Sequence, residues 1–258
     1  MFTSIVRTHL LGALSPHKYA GGILVAAALF STACSDGAAR LNAPPLFAKS
    51  NMASSVVQSA APDFIVLANA SVTCTDGSIT GYVGTAQTSP TGSVTQTGCP
   101  INGTILVGNG ASQLAFNNFL STYAALTPQL GDVCTTVTGT LDGVILKPGS
   151  YCYDVSATVT GVVTLDGPSN GVWNIKVGTS GTGALTGTNF TVVMAGGGQA
   201  CNVTWWVADA VTLTTSAFKG NILAGVPITL TGGTLNGHAW SKSDVTITGT
   251  AVSGCSGN

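Results

Sequence analysis

The chain has 258 residues, 45% of them hydrophobic and only 7% charged, with eight basic and nine acidic side chains and a formal net charge of −1. Charge so sparse and so scattered excludes an electrostatic footprint for nucleic acid and a polybasic patch for anionic membrane surfaces, while the length suffices for one large core. All nine acids are Asp, and the shortage of Glu, Lys and Arg beside 34 glycines points to strands and turns, with helix in the minority.

Residues 21–33, Gly-Gly-Ile-Leu-Val-Ala-Ala-Ala-Leu-Phe-Ser-Thr-Ala, form a short apolar run behind Arg7, His9 and Lys18, and Cys34 follows at once. The run is too short to span a bilayer and reads as an export signal over 1–33. Its Ala-Cys end is similar to a bacterial lipoprotein signal, in which Cys34 is lipidated and becomes the mature N-terminus. Ser31 departs from the usual Leu, and plain secretion after nearby cleavage is the alternative. The expected location is therefore the cell envelope, at the outer membrane or cell surface with a lipid as the sole membrane contact, or outside the cell. Residues 34–61, rich in Ala, Ser, Asn and Pro, read as a flexible tether.

The folded domain is expected over 62–258. Phe64-Ile65-Val66-Leu67 and Ser71-Val72-Thr73-Cys74-Thr75 read as a strand pair with Ser71, Thr73 and Thr75 on one face. From about 76 to 110, Gly, Thr, Ser and Pro dominate and predict an irregular cap outside the regular structure. Ser112 opens a helix over about 112–127, with Leu114, Ala115, Phe119, Leu120, Tyr123 and Leu126 at helical spacing and Pro128 beyond its end.

Near the C-terminus Thr212-Leu213-Thr214, Thr229-Leu230-Thr231 and Thr246-Ile247-Thr248 recur at a constant step of 17 residues, the length of one β-solenoid coil. Alternation along a strand puts Leu213, Leu230 and Ile247 inside and the threonines outside in two columns. Rungs about 4.8 Å apart and alternate residues about 6.7 Å apart make those columns a regular grid of hydroxyls and methyls. Thr164-Leu165-Asp166 and Ala184-Leu185-Thr186 fit the same apolar-centred triplet at looser steps, predicting five rungs with Leu165, Leu185, Leu213, Leu230 and Ile247 as an internal ladder. On that register Asp166 and Ala184 interrupt the Thr columns. Val172-Trp173-Asn174-Ile175, Val203-Thr204-Trp205-Trp206-Val207, Asn221-Ile222-Leu223-Ala224 and His238-Ala239-Trp240 are apolar on both sides, as in strands buried on both faces. The helix is their expected cover, leaving the Thr face free.

Cys74, Cys99, Cys134, Cys152, Cys201 and Cys255 are an even set in an exported chain, and disulfides are expected. Order alone does not choose among the pairings; Cys74–Cys99, Cys134–Cys152 and Cys201–Cys255 is the expected set. No Cys-x-x-Cys pair occurs and His238 is the one histidine beyond the export signal, so neither a metal site nor a cofactor is expected. Asp166, Asp209 and Asp244 form no visible cluster for paired-carboxylate chemistry. His238 lacks the partners of a Ser-His-Asp site, and Gly196-Gly197-Gly198 lacks the Lys-Ser/Thr of a phosphate loop. An enzyme is not expected.

Asn102-Gly103-Thr104-Ile105, Leu146-Lys147-Pro148-Gly149-Ser150-Tyr151-Cys152-Tyr153, Gln199-Ala200-Cys201-Asn202-Val203-Thr204-Trp205-Trp206-Val207, Gly220-Asn221-Ile222-Leu223-Ala224 and Leu235-Asn236-Gly237-His238-Ala239 keep their order over most of the domain. In them the chain resembles the microbial ice-binding domain family, also described as ice-binding-like or adhesin. The resemblance implies a mainly β fold: a discontinuous right-handed parallel β-helix of triangular section, a long α-helix alongside, and an N-terminal strand inserted into the stack. It further implies ice as the partner of one flat, helix-free face, here Thr212, Thr214, Thr229, Thr231, Thr246 and Thr248, with Thr186 and Thr164 in the looser rungs, on a monomer. A cell-surface adhesin or carbohydrate-binding solenoid is the alternative, and an inert envelope component a third reading.

Overall fold

The computed structural model describes residues 63–129 and 132–255; the export signal 1–33, Cys34 and the tether 34–61 lie outside them. The described residues form a three-sided parallel β-helix with one long helix against one side. Each regular coil crosses three faces. Trp173–Val177, Val203–Val207, Asn221–Ala224 and Ala239–Ser241 lie on the first. The long strands Ala157–Asp166, Leu185–Ala195, Val211–Lys219 and Ile228–Asn236 each begin on the second face and finish on the third. Their bend is marked by a left-handed residue that recurs from coil to coil: Gly161, Asn189, Thr215 and Gly232, continued by Gly249. Glycine adopts that conformation freely, whereas a β-branched residue such as Thr215 is strained in it.

The stack is discontinuous in sequence. Phe64–Ala68 pairs with Ala239–Ser241 on one side and Tyr82–Thr85 on the other. Ser71–Thr75 lies between Val245–Thr248 and Ser93–Thr97, and Ser78–Thr80 between Ala251–Ser253 and Ile101–Asn102. The first coils of the chain are thus laid on the last. Ile105–Val107 ends this N-terminal run on the first face. The chain then crosses back along the stack and resumes at the opposite end with Thr135–Thr136, Thr140–Leu141 and Ile145–Leu146. The expected cap over 76–110 is therefore corrected: about half of it is short strands in the stack. Its Gly and Thr content reflects tight corners and exposed edges rather than irregularity.

The return is made by α1, Gly110–Leu126, about 26 Å long at 1.5 Å per residue and so long enough to pass roughly five rungs. It begins two residues before Ser112. Asn109 is its cap, accepting a hydrogen bond from the Ser112 N–H at 2.8 Å while the Ser112 hydroxyl accepts one from the Asn109 N–H at 3.1 Å. Phe116, Phe119 and Tyr123 face an outward column of the first sheet in which Leu67, Trp240, Leu223 and Trp206 stand in register. Inward neighbours Val66, Ala239, Ile222, Trp205 and Ile175 fill the interior, which explains strands apolar on both sides. Past the helix the same outward column continues as Lys176 and Cys152. There the returning chain is held by Asp132, 3.0 Å from the Lys176 ammonium, and by the Cys134–Cys152 disulfide. Hydrogen bonds from Gln129 and then Lys176 hold the Asp132 carboxyl below the usual carboxylate range.

The other disulfides are Cys74–Cys99 and Cys201–Cys255, the pairs expected from the sequence. The first ties a strand of the second face to the turn beyond its neighbour. The second anchors the end of the final coil.

Candidate functional site

The second face is built by short strands and by the opening residues of the long ones, whose inward residues form two ladders. Ala157, Leu185, Val211, Ile228, Val245 and Val72 are in one register and all are buried. Val159, Gly187, Leu213, Leu230, Ile247 and Cys74 form the other. At Gly187 the Phe190 ring occupies the space that a leucine fills in the next rungs; a Cβ there would lie 2.2 Å from it. With the floor fixed, alternation turns the intervening residues outward.

Those residues are threonines in two columns. Thr140, Thr158, Thr186, Thr212, Thr229, Thr246, Thr73 and Thr95 pair in succession across eight rungs. Thr188, Thr214, Thr231, Thr248, Thr75 and Thr97 do so across six. All are exposed or half-exposed, and no charged residue stands in either column. The Thr158 and Thr186 hydroxyls are 3.4 Å apart.

Seven of the eight threonines expected on this surface are there: Thr186, Thr212, Thr214, Thr229, Thr231, Thr246 and Thr248. Thr164 is not. It pairs with Ile145 and Val193 on the third face, and the residue in register with Thr186 is Thr158. The expected internal ladder is corrected with it: Leu165 lies under the third face, and Leu185 aligns with Val211 rather than Leu213. Asp166 and Ala184 consequently do not interrupt the columns. Asp166 is paired with Lys147 at 2.5 Å, and Ala184 lies before the strand. Thr73, Thr75, Thr95, Thr97, Thr140, Thr158 and Thr188 are the additions. Thr73-Cys74-Thr75, Thr95-Gln96-Thr97 and Thr186-Gly187-Thr188 repeat the Thr-x-Thr signature, but their central residues are not large aliphatics and their spacing is not 17.

Carboxylates near the grid are drawn into the turns that lead onto it. Asp209 accepts from the Gly183 N–H at 2.7 Å, Asp154 from the Thr179 hydroxyl at 2.9 Å, and Asp244 from the Ser71 N–H and hydroxyl. His238 lies away from this face, its Nδ1 2.6 Å from Asn221 Oδ1 and its Nε2 2.8 Å from Asp63 Oδ1. Asn221 also donates to the Cys201 carbonyl at 3.0 Å, so the imidazole belongs to a tie between the beginning of the first strand and the neighbouring coils. Among the described residues no group of three or more His, Cys, Asp or Glu is arranged to hold a metal ion. The chemistry the face offers is an uncharged, periodic display of hydroxyl donors and acceptors between methyl groups.

Comparison with known proteins agrees with this architecture. Residues 65–253 match the Ice-binding-like family. An ice-binding protein of Nostoc sp. (strain HG1) is 35% identical over 181 residues, covering 67% of this chain and 63% of that protein. One of Flavobacterium frigoris (strain PS1) is 33% identical over 137 residues, covering 52% of this chain and 46% of that protein. The chain thus spans about half to two thirds of the length of these curated relatives. The crystal structure of an ice-binding protein from the Antarctic ascomycete Antarctomyces psychrotrophicus superposes with a TM-score of 0.65 at 29% identity, over 74% of this chain and 93% of that one.

Proposed function

The chain belongs to the Ice-binding-like family, and from that premise we propose that it is a non-enzymatic ice-binding protein that adsorbs to ice through the two Thr columns. The observation that carries the proposal is their unbroken run of eight and six uncharged positions on the face that α1 leaves open. Charged groups hold their own hydration shells, whereas a threonine pairs a hydroxyl that joins a water lattice with a methyl that water cannot bond. A repeat of about 4.8 Å across rungs and about 6.7 Å along strands imposes two-dimensional order on that water. Rigidity matters equally, because a surface already fixed by its core loses little conformational freedom on adsorption.

In this reading the protein is exported, held at the cell surface through a lipid on Cys34 or secreted, and acts as a monomer that inhibits ice growth or recrystallisation or attaches its carrier to ice. Partitioning of the recombinant protein into a slowly growing ice front tests the reading. Wild type is expected to enter the ice and shape crystals. Thr229→Tyr or Thr231→Tyr should abolish both effects, and Thr95→Tyr, far outside the C-terminal repeat, should weaken them. Asn117→Tyr on the outer side of α1 should leave them intact. Wild type left in the liquid, with binding on a glycan array, would replace ice by a carbohydrate ligand; unchanged shaping by Thr229→Tyr would move the site to another face.

A further inference from the structure

His238 lies just ahead of Ala239–Ser241 and 17 residues beyond Asn221, one coil away, which itself pairs with Thr204. His238 and Asn221 are 8% and 6% exposed, so their polar atoms need partners within the protein. The imidazole Nδ1 is 2.6 Å from Asn221 Oδ1 and Nε2 is 2.8 Å from Asp63 Oδ1. Both ring nitrogens therefore face oxygen. The Asp63 carboxylate can only accept. Asn221 is oriented by its own amide, whose Nδ2 donates to the Cys201 carbonyl at 3.0 Å; turned over, it would set oxygen against that carbonyl oxygen. Cys255 Sγ, 3.8 Å from Asn221 Oδ1, is in the disulfide with Cys201 and has no proton to give. Two acceptors call for two ring protons, and a ring with two protons is the imidazolium. The Trp240 ring lies against it, centroids 5.2 Å apart, a neighbour suited to a cation. Among the described residues Asp63 is the one charged group bonded to the ring, and Asn221 and Trp240, which also contact it, do not titrate.

We propose that His238 is a protonation-dependent latch on the seam between the first coils of the chain and the last. Asp63 immediately precedes Phe64–Ala68, the strand that pairs with Ala239–Ser241 and brings the N-terminal coils onto the body. Trp240 strengthens the same seam by donating from its indole to the Phe64 carbonyl at 2.6 Å. With two protons the ring bridges Asp63 to Asn221. With one it serves only one of them, and leaves either the carboxylate or the buried Asn221 Oδ1 without its donor. The second proton passes to water, and no other bond need change. A closed seam that binds the proton better than an open one is firm in acid and loosens as the pH rises through the ring's titration. Histidine is the side chain whose charge ordinarily changes between about pH 5 and 8. The Asp63 side chain is 60% exposed, so solvent screens its share and places the effect at the lower end for charge-assisted hydrogen bonds. The strand so held also seats the coils that carry Thr73, Thr75, Thr95 and Thr97. The latch thus governs one end of the Thr columns, whatever those columns bind.

Amide hydrogen exchange of the protein, followed by NMR from acid to mildly alkaline pH and corrected for the intrinsic pH dependence of exchange, reads the latch. Amides of Phe64–Ala68 should lose roughly tenfold in protection, with the midpoint shown by the 15N shifts of the His238 ring. Amides of Val203–Val207, in mid-stack, should change little over the same range. His238→Gln should remove the pH dependence and leave the seam at its weaker level. Asp63→Asn should remove it and keep the seam closed, because the new amide can turn its N–H toward Nε2 and a neutral ring then makes both bonds. Protection of Phe64–Ala68 that does not follow the ring's titration overturns the latch. So does a wild-type pH dependence retained in Asp63→Asn, a change at a largely exposed side chain that decides the matter even if His238→Gln fails to fold.

Discussion

Ser71 donates two hydrogen bonds to one oxygen of Asp244, from its backbone N–H at 2.8 Å and its hydroxyl at 2.7 Å, across 173 residues of sequence. The Ser243 hydroxyl donates to the other oxygen at 3.1 Å. These bonds sit on the line where the first coils of the chain meet the last, at the margin of the Thr grid. Partial burial raises the Asp244 carboxyl, but the bonds from Ser71 and Ser243 outweigh it and hold the group below the usual carboxylate range.

Asp244→Asn is expected to destabilise the domain by roughly 1–2 kcal/mol at pH 7, the lower end of the range for hydrogen bonds to a charged group because the site is half-exposed. A depressed folded pKa contributes stability above the unfolded value of about 3.9 and loses it as the pH falls through the folded value. Urea unfolding should therefore show the gap between wild type and variant at neutral pH and its closure in strong acid. A gap independent of pH would remove the carboxylate from the account.

Thr215 occupies the left-handed corner at φ 49°, where the next two coils place Gly232 and Gly249. An L-residue in that region carries about 1–2 kcal/mol of strain, against about 0.5–1 kcal/mol for the greater freedom of glycine in the unfolded chain. Thr215→Gly is thus expected to stabilise by up to about 1 kcal/mol, and Gly232→Thr to destabilise by up to about the same amount. Chemical denaturation of both variants checks the pair of signs; a destabilised Thr215→Gly would overturn the strain argument.

Trp206 packs on Tyr123 with ring centroids 5.1 Å apart and donates from its indole to the Tyr123 carbonyl at 3.1 Å, while the Tyr123 hydroxyl donates to the Val207 carbonyl at 3.0 Å. Trp206→Ala should cost about 3–5 kcal/mol and Tyr123→Phe about 1 kcal/mol, with the loss of helical circular dichroism coinciding with the main unfolding transition. Burial, and secondarily Asp209, pushes the Tyr123 phenol up to about 12. Its raised folded value means that this contribution persists below pH 10 and is lost as the pH climbs through about 12. A helix that melts separately from the sheets would contradict the docking.

The parts of this structure legible in the sequence are those governed by local alternation. Leu213, Leu230 and Ile247 between paired threonines announce their rungs, and doubled apolar strands such as Thr204-Trp205-Trp206 announce a covered sheet. The earlier rungs were obscured by substitution within the pattern. Gly187 takes the place of a leucine because Phe190, just past the corner of the same strand, fills it, and the register shifts between Val159 and Gly161. A search for apolar centres therefore settles on Leu165, one face too far. Thr73 and Thr75 were visible as one face of a strand, but their place beside Thr246 and Thr248 depends on pairing between chain ends, which no local periodicity encodes.

The laying of the first coils upon the last also dictates an order of assembly. Strands Phe64–Ala68 and Ser71–Thr75 leave the ribosome before the rest of the domain, yet the edges they pair with on one side, Ala239–Ser241 and Val245–Thr248, emerge only after the coils between them. Contacts of such sequence separation carry a large loop-closure cost and slow folding. The domain cannot mature coil by coil as an open repeat array would. It closes only once Ala239–Ser241 and Val245–Thr248 have joined the strands that begin it.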